Sequence, residues 1–292
     1  AITVWYAPGK DYMTLKSENT GQIVAGGREQ AQILKQMIDD DFIATYNIPV
    51  NLQLIDIEAL LPATLAGKGP DVSLQVLADR PVQFAMRGAV HNLAEFDDFE
   101  EIVKRFYPSS MVQFTYQDGV YALPETQTFH VMFYRKDIME ELGLEVPQTW
   151  ADVFDIIPEL QNNYMNFGYP AYVNNYISLI YQNGGTLYKG EGKDLGYASN
   201  LDSPEAIAAF ITYIDLYRSY KIDLQIDFQT RFRVGEIPIG IADFTMINVL
   251  NVAAPEIRGL WDIALVPGTE RVDKNGETYF DRSTATTVTG CI

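Results

Sequence analysis

The 292-residue chain contains little cysteine and little histidine, and it has no long apolar run. Its one cysteine, Cys291, excludes an internal disulfide and a metal site built from several thiolates. Two histidines, His91 and His130, argue against a histidine-rich metal site or a two-histidine relay. No apolar stretch reaches the roughly 20 residues that span a bilayer, and the sequence opens in a strand pattern rather than a signal peptide. We therefore expect no cofactor and no membrane-spanning segment.

Positive charge is also scarce. The chain has 39 acidic and 21 basic residues, a formal net charge of −18, and no basic run interrupts the acidic background. Such a surface repels nucleic acid phosphates and anionic lipid, so we expect neither as a partner. A hydrophobic content of 47% and an aromatic content of 12% are typical of a globular protein. The length suits one large domain or two ordinary ones.

Strand and helix patterns alternate through the first half of the chain, which indicates an α/β fold with a mainly parallel sheet. A proline at position 62 is expected to interrupt one of these helices. The predicted strands are Ile2–Tyr6, 50–55 and 72–76, and the predicted helices are 29–46, 57–66 and 80–87.

The second half is richer in predicted helix. Helices are expected over 149–164 and from Ser203-Pro204 onward, where serine caps and proline occupies the first turn. Strands are expected over 237–242 and 261–266, and Asn275-Gly276 predicts a tight hairpin. The apolar face of the helix that begins at Ser203-Pro204 is expected to run through Ile207, Phe210, Ile211, Ile214 and Tyr217.

Residues 118–150 carry the densest series of local signals. An Asp-Gly turn precedes an apolar strand at 129–134, and Asp137 can then cap a short helix, 138–142, that Gly143 ends. Thr149, with Asp152 three places later, predicts a weaker form of the capping box at the next helix.

This segment, DGVYALPETQTFHVMFYRKDIMEELGLEVPQTW, resembles the family 1 extracellular solute-binding proteins, the maltose-binding-protein-like, sugar-capturing components of ABC importers. Three further segments resemble the family in the same order: ITVWY at 2–6, GKGPDV at 67–72 and GEIPIGIAD at 235–243. The resemblance implies a two-lobe, type II periplasmic-binding-protein-like α/β fold, with mainly parallel sheets and helices on both faces.

The resemblance also implies how the lobes divide the chain. The N-terminal lobe is expected to hold residues 1–122 plus 264–292 and the C-terminal lobe residues 123–263, with hinge crossings near 122–124 and 262–266. Relatives continue past the equivalent of residue 292, so the chain is expected to lack the C-terminal part. An extracellular location follows, either periplasmic or at the cell surface through a lipid anchor that this chain does not carry. The implied partners are a carbohydrate and an ABC permease, and the protein is expected to be a monomer.

A sugar presents hydroxyls and an apolar C–H face, so its binders need carboxylates, amides and an aromatic platform. In α/β proteins such groups lie at the carboxyl ends of strands. By the resemblance, Asp79-Arg80 matches a ligand-bonding pair, Phe244 lies near a stacking position, and Thr128 stands where maltose-binding relatives carry a ligand-bonding glutamate. The candidate ligand-binding residues are Trp5, Tyr6, Asp79, Arg80, Glu125, Gln127, Asn175, Tyr176, Asp243 and Phe244.

Several candidates have an alternative, structural interpretation. Trp5 can belong to the core, Arg80 can pair with Asp79, and Tyr176 can pack under a helix. Two residues outside the candidate set are expected to be structural: Asp71 as a cap or turn residue, and His130 as a core histidine with satisfied hydrogen bonds.

The leading hypothesis is a receptor without enzymatic activity that captures a carbohydrate, expected to be an oligosaccharide, between two lobes. One alternative is a glycoside hydrolase, which needs two carboxyls flanking one bond; Glu125 and Asp243 are available, but no motif pairs them. Neither a Gly-x-Ser-x-Gly nor a His-Glu-x-x-His motif occurs. Another alternative is a sensor or adhesin that reuses the same fold.

Overall fold

The computed structural model of the chain describes residues 1–7, 27–190, 196 and 198–292. Its contacts form two compact units. The first unit contains residues 1–127 and 287–292, and the second contains residues 128–286.

The strands are short, with one exception that runs from the first unit into the second. In chain order they are β1 (Ile2–Tyr6), β2 (Val50–Leu54), β3 (Val72–Leu74), β4 (Val76–Leu77), β5 (Thr115–Tyr116), β6 (Gly119–Val120), β7 (Leu123–Arg135), β8 (Phe167–Gly168), β9 (Ile239–Asp243), β10 (Trp261–Ala264), β11 (Thr269–Val272), β12 (Thr278–Asp281) and β13 (Thr286–Cys291).

Within the described ranges, no helix combines the length and the apolar character needed to cross a membrane. The α-helices are α1 (Gly27–Met37), α2 (Ile43–Tyr46), α3 (Leu60–Leu65), α4 (Arg80–Ala85), α5 (Phe99–Val103), α6 (Pro108–Met111), α7 (Lys136–Leu142), α8 (Trp150–Asn162), α9 (Val173–Gln182), α10 (Pro204–Arg218), α11 (Phe228–Val234) and α12 (Met246–Ala253). A π-helix, Ile38–Phe42, joins α1 to α2, and 3₁₀ turns occupy Ile57–Ala59, Leu93–Glu95, Val112–Phe114 and Pro255–Ile257.

The first unit is built on a parallel sheet, as the sequence predicts, and the strand order is β2-β1-β3. Asp71 joins β1 to the start of β3: its carboxylate accepts from the Thr3 N–H at 2.7 Å, and its own N–H donates to the Thr3 carbonyl. The expected structural role of Asp71 is therefore confirmed. Elsewhere in the unit, β13 lies between β4 and β7.

The second unit is built on the later part of β7, which pairs antiparallel with β9 and with β10, while β8 pairs parallel with β9. Its sheet is thus mixed, unlike the parallel sheet of the first unit. Successive residues of β7 point to opposite faces. Met132 belongs to a core with α8, α9 and α10, whereas Val131 and Phe133 belong to a second core with α11 and α12.

The local signals around α8 and α10 are confirmed. Thr149 Oγ1 accepts from the Asp152 N–H, and the Asp152 carboxylate accepts from the Thr149 N–H at 2.8 Å, which completes a capping box. Ser203 caps α10 ahead of Pro204. The proline at position 62 is tolerated because the chain changes from a 3₁₀ turn to α3 at Leu60, so that it falls in the first helical turn.

Two local predictions are wrong. Asp137 does not cap α7, because the helix begins at Lys136 and the Asp137 carboxylate instead pairs with the buried guanidinium of Arg135 at 2.6 Å. The apolar face predicted for α10 is wrong in part: Tyr217 packs against the core, but Ile207, Phe210 and Ile211 are exposed. The helix packs on α9 through Ala206, Ala209 and Leu216 instead, because small side chains at the contact let two helices approach closely.

Residues 264–286 group with the second unit, whereas the expected division places them with the N-terminal lobe. Val266 lies in the core beside α8 and α9, and Gln182 of α9 donates to the carbonyls of Pro267 and Ser283. The other boundary, at residues 127 and 128, lies a few residues after the expected one. The hinge assignment stays a prediction.

Gly240 provides a test of the second unit's sheet. A Cβ at this position lies 2.5 Å from the Gly168 carbonyl oxygen and 2.6 Å from its Cα. We expect Gly240→Ala to push β8 from β9 and destabilise the protein by about 2–3 kcal/mol, measured as a lower denaturant midpoint.

The control is Gly276→Ala at the β11–β12 hairpin, where φ is +84° and no atom lies within 4 Å of the added Cβ. It is expected to cost only the left-handed backbone conformation, about 1 kcal/mol. Equal midpoints for the two variants contradict the close packing of β8 on β9.

Candidate functional site

The polar part of the site lies where β7 and β9 pair in the second unit. His130 is opposite Asp243 in the antiparallel register, and alternation along β7 puts Thr128 on the same face. Oδ1 of Asp243 accepts three hydrogen bonds: from Thr128 Oγ1 at 2.6 Å, from the Thr245 N–H at 2.9 Å and from Thr245 Oγ1 at 2.6 Å. No described residue donates to Oδ2. The carboxylate is therefore held from one side, and one oxygen is left without a described donor.

An aromatic pair occupies the other face of the same ladder. The rings of Phe129 and Phe244 stack with centroids 5.1 Å apart and planes at 23°, and both side chains are about 40% exposed. Consecutive residues of a strand point to opposite faces. Asp243 touches Thr128, whereas Phe244 touches Phe129, so these two neighbouring candidates face different ways. The sequence predicts Phe129 only as the start of a buried strand, and no sequence signal showed that it is exposed.

His130 is half-buried, not a fully buried core residue. Burial lowers its pKa from the ordinary value, although the Asp243 carboxylate and a side-chain hydrogen bond with Asn175 both favour the charged form. The net shift is downward, so the imidazole is neutral at neutral pH. His130 therefore adds no positive charge beside Asp243.

The other candidates in the second unit, Asn175 and Tyr176, begin α9 and bond within their own unit. Asn175 is buried, and its side-chain N–H donates to the Pro170 carbonyl at 2.7 Å. The Tyr176 hydroxyl donates to the Ala206 carbonyl at 3.2 Å, and its ring packs on Phe210. The contacts of Tyr176 agree with its structural interpretation. A side-chain hydrogen bond with His130 connects Asn175 to the polar face.

In the first unit, Asp79 and Arg80 begin α4 beside a second carboxylate. Arg80 Nη2 donates to Glu58 Oε1 at 2.9 Å, while Arg80 Nε lies 3.5 Å from Asp79 Oδ2 without hydrogen-bond geometry. That Nε atom is buried and has no hydrogen-bond partner in the described part of the chain. A cavity of about 210 Å³ adjoins the group and is also lined by Gln83 and Arg87.

Glu125 supports an unusual backbone conformation. Gln75 joins β3 to β4 with φ at +61°, a left-handed conformation that is uncommon outside glycine. Gln75 donates two hydrogen bonds to Glu125. Its backbone N–H donates to Oε2 at 2.6 Å, and its side-chain Nε2 donates to Oε1 at 3.0 Å. Each oxygen of Glu125 thus already accepts a hydrogen bond. Gln127, two residues later, is exposed.

Trp5 and Tyr6 end β1 with little side chain available to solvent. The indole N–H of Trp5 is buried without a described hydrogen-bond partner, and its ring packs on the core of the first unit. Tyr6 is 6% exposed, and its hydroxyl donates to Gln30 Oε1 at 2.7 Å. The packing of Trp5 agrees with its structural interpretation.

The structure brings Asp243, His130 and Asn175 together in the second unit, and Asp79 and Arg80 together in the first. Among the described residues, no group of three or more histidine, cysteine, aspartate or glutamate side chains is arranged to hold a metal ion. What the polar face of the second unit offers chemically is hydrogen bonding to a ligand.

A family comparison identifies the class of protein. The profile described as "bacterial extracellular solute-binding protein" matches residues 25–278, which is most of the chain. The chain belongs to this family.

Solved structures from three organisms share the fold over almost the whole chain. Maltose-bound MalE3 of T. maritima is 20% identical with a TM-score of 0.71, over 100% of this chain and 72% of that one. An ABC transporter solute-binding protein of Thermotoga lettingae, bound with α-D-tagatose, is 22% identical with a TM-score of 0.68, over 99% of this chain and 71% of that one. The ABC substrate-binding protein Lmo0181 of Listeria monocytogenes, in complex with cycloalternan, is 21% identical with a TM-score of 0.67 (99% and 69%). These similarities establish the two-lobe, type II periplasmic-binding-protein α/β fold predicted from the sequence.

The lowered pKa of His130 predicts a pH dependence of stability. The unfolded chain binds a proton near the ordinary histidine pKa of about 6.5, whereas the folded chain binds it only at lower pH. The neutral His130 therefore contributes its full stabilisation above the unfolded-state pKa. This contribution is lost as the pH falls from the unfolded-state pKa towards the lower folded-state pKa. We expect the melting temperature of His130→Gln to fall less than that of the wild type when the pH is lowered from 7.5 to 5.5.

The matched control, His91→Gln, removes the other histidine, which lies in the first unit. If His130→Gln and the wild type lose the same melting temperature on acidification, the burial of a neutral imidazole at position 130 is not a stabilising feature.

Proposed function

We propose that the protein is the extracellular receptor of an ABC importer and that it captures a carbohydrate, specifically an oligosaccharide, for delivery to a permease. Membership of the solute-binding family supports a binding protein rather than an enzyme. Relatives of the same fold were solved with maltose, α-D-tagatose and cycloalternan, and all three are carbohydrates.

The observation that carries the proposal for this chain is the Asp243 carboxylate. It stands at the carboxyl end of a core strand, β9, half-buried and anchored through Oδ1. Carboxylates there suit sugar recognition because they accept hydrogen bonds from hydroxyls with a fixed direction. The anchored oxygen sets the direction of the other one.

Contacts from the first unit complete the proposed mechanism. Asp79, Arg80 and Gln127 remain the candidates there, because they carry polar groups at the surface or beside a cavity. A ligand that bonds residues of both lobes favours a closed state, since its full set of contacts exists only in that state. A permease would then recognise the closed form.

The location and assembly proposed from the sequence follow from the same function. A receptor for an importer works outside the cytoplasmic membrane, either in the periplasm or attached to the cell surface through a lipid anchor. We propose a monomer as the working unit, and size-exclusion chromatography with light scattering tests that proposal.

A panel of neutral oligosaccharides tests the carbohydrate assignment by thermal shift. A ligand at about one hundred times its Kd stabilises the folded state by roughly 2.7 kcal/mol, which raises the melting temperature of a protein of this size by several degrees. Amino acids and divalent metal ions form the comparison set. A clear shift with that set and none with any glycan contradicts the proposal.

Asp243→Ala tests the residue that carries the proposal. Hydrogen bonds to charged groups contribute about 1.5–3 kcal/mol, so the variant is expected to bind the shifting glycan roughly 10- to 100-fold more weakly. Glu140→Ala on α7 is the control, because it removes an exposed acidic side chain of the same unit. Calorimetric titration gives both Kd values, and wild-type affinity in Asp243→Ala moves the site elsewhere.

A further inference from the structure

We propose that Thr128 and Thr245 position Asp243 as an acceptor-only group, and that this arrangement selects uncharged sugars over acidic ones. The inference rests on the proposed function and assigns to two threonines a positioning role that the candidate residues predicted from the sequence do not include.

The hydrogen bonds from Thr128 and Thr245 fully occupy Oδ1 of Asp243. A carboxylate has about four lone-pair positions, two on each oxygen. Three donors converge on Oδ1 of Asp243, two of them hydroxyls at 2.6 Å, so this oxygen has no capacity left. Short hydrogen bonds of this kind to an ionised acceptor are among the stronger ones. A ligand can therefore bond only Oδ2.

The two threonines come from different elements. Thr128 lies on β7, while Thr245 follows β9 immediately before α12. Thr245 makes two hydrogen bonds to Oδ1 within a local turn. The Thr128 hydroxyl adds a bond from the neighbouring strand, which fixes the carboxylate relative to β7 and with it the direction of Oδ2.

The three donors to Asp243 are neutral groups, and His130, the titratable residue opposite Asp243, has a lowered pKa and is neutral at pH 7. The negative charge of Asp243 is thus not compensated by an adjacent cation on these elements. A ligand carboxylate within about 4 Å is repelled by roughly 1–4 kcal/mol, depending on the local dielectric. A neutral sugar hydroxyl can instead donate a hydrogen bond to Oδ2 of Asp243.

The experiment uses the full chain and three matched pairs of sugars: maltotriose, cellotriose and galactotriose, each beside its counterpart oxidised at C6 to the uronic acid. Titration calorimetry gives the Kd values for the wild type, Thr128→Val, Thr128→Ser, Thr245→Val and Asp243→Asn. Thr128→Val keeps the side-chain shape and removes the donor, whereas Thr128→Ser keeps the donor.

We expect the wild type to bind a neutral trisaccharide at least about tenfold more tightly than its acidic counterpart. Thr128→Val should weaken that neutral binding about tenfold, Thr128→Ser should restore most of it, and Asp243→Asn should reduce the preference for the neutral sugar. Rescue by serine separates positioning from packing, because serine restores the hydroxyl and lacks the methyl group. Should Thr128→Val fail to fold, Thr245→Val still removes one of the two hydroxyl bonds to Oδ1 and is expected to weaken neutral binding in the same direction.

The outcomes separate this inference from the proposed function. A wild type that binds none of these sugars and responds to no glycan of the thermal-shift panel overturns the proposed function, and this inference with it. A wild type that binds a neutral trisaccharide while Thr128→Val and Thr245→Val bind it equally well overturns the inference alone. Equal affinity of the wild type for the neutral and acidic members of a pair overturns the selectivity.

Discussion

The antiparallel ladder between β7 and β9 is the constraint on which the second unit depends. Along β7, Met132 faces one core while Val131 and Phe133 face the other, so a single strand separates the helices α8–α10 from α11 and α12. The same alternation continues to the start of the ladder. There it places Thr128 and His130 with Asp243, and Phe129 with Phe244. The core and the polar site therefore share one register.

Because the core and the polar site share the β7–β9 register, the core also fixes the position of the Asp243 carboxylate. A slip of one residue between the strands exchanges every side chain between the two faces, which would put Met132 in the wrong core and separate Asp243 from Thr128. On the other side of β9, close packing also holds the neighbouring strand in place: Gly240, three residues before Asp243, lies against the backbone of Gly168 on β8. Burial of apolar surface on both faces thus fixes the direction of a carboxylate that contributes little to the core.

Features that depend on neighbouring residues could be predicted from the sequence. The capping box at Thr149, the cap at Ser203 and the left-handed end of α7 at Gly143 each depend on a few adjacent side chains, and all occur. Features that depend on distant partners could not. Asp137 looks like a helix cap, but distant residues bury the guanidinium of Arg135, which donates to the carbonyls of Phe232 and Arg233. The buried guanidinium needs a carboxylate, and Asp137 supplies it instead of capping α7.

The same distinction limits what the sequence could say about the candidate site. Asp243 could be proposed because it follows a predicted core strand, and Glu125 because it follows the expected first hinge crossing. The long-range part of their bonding could not be, because the Thr128 bond to Asp243 and the Gln75 bonds to Glu125 span 115 and 50 positions. Phe129 escaped prediction for a related reason: an apolar residue at a strand start indicates burial unless the packing around it is known. The exposed face of α10 escaped in the same way.

The bonding patterns also rank the carboxylates as ligand contacts. Both carboxylate oxygens of Glu125 accept hydrogen bonds from Gln75, and this contact stabilises the left-handed backbone of Gln75. A ligand at Glu125 must therefore compete with an internal hydrogen bond. Asp79 lies beside Arg80, which already bonds Glu58. Asp243 differs because its three internal bonds all fall on one oxygen. A carboxylate anchored on one side keeps its direction and its remaining accepting capacity together, and a group that recognises hydroxyls needs both.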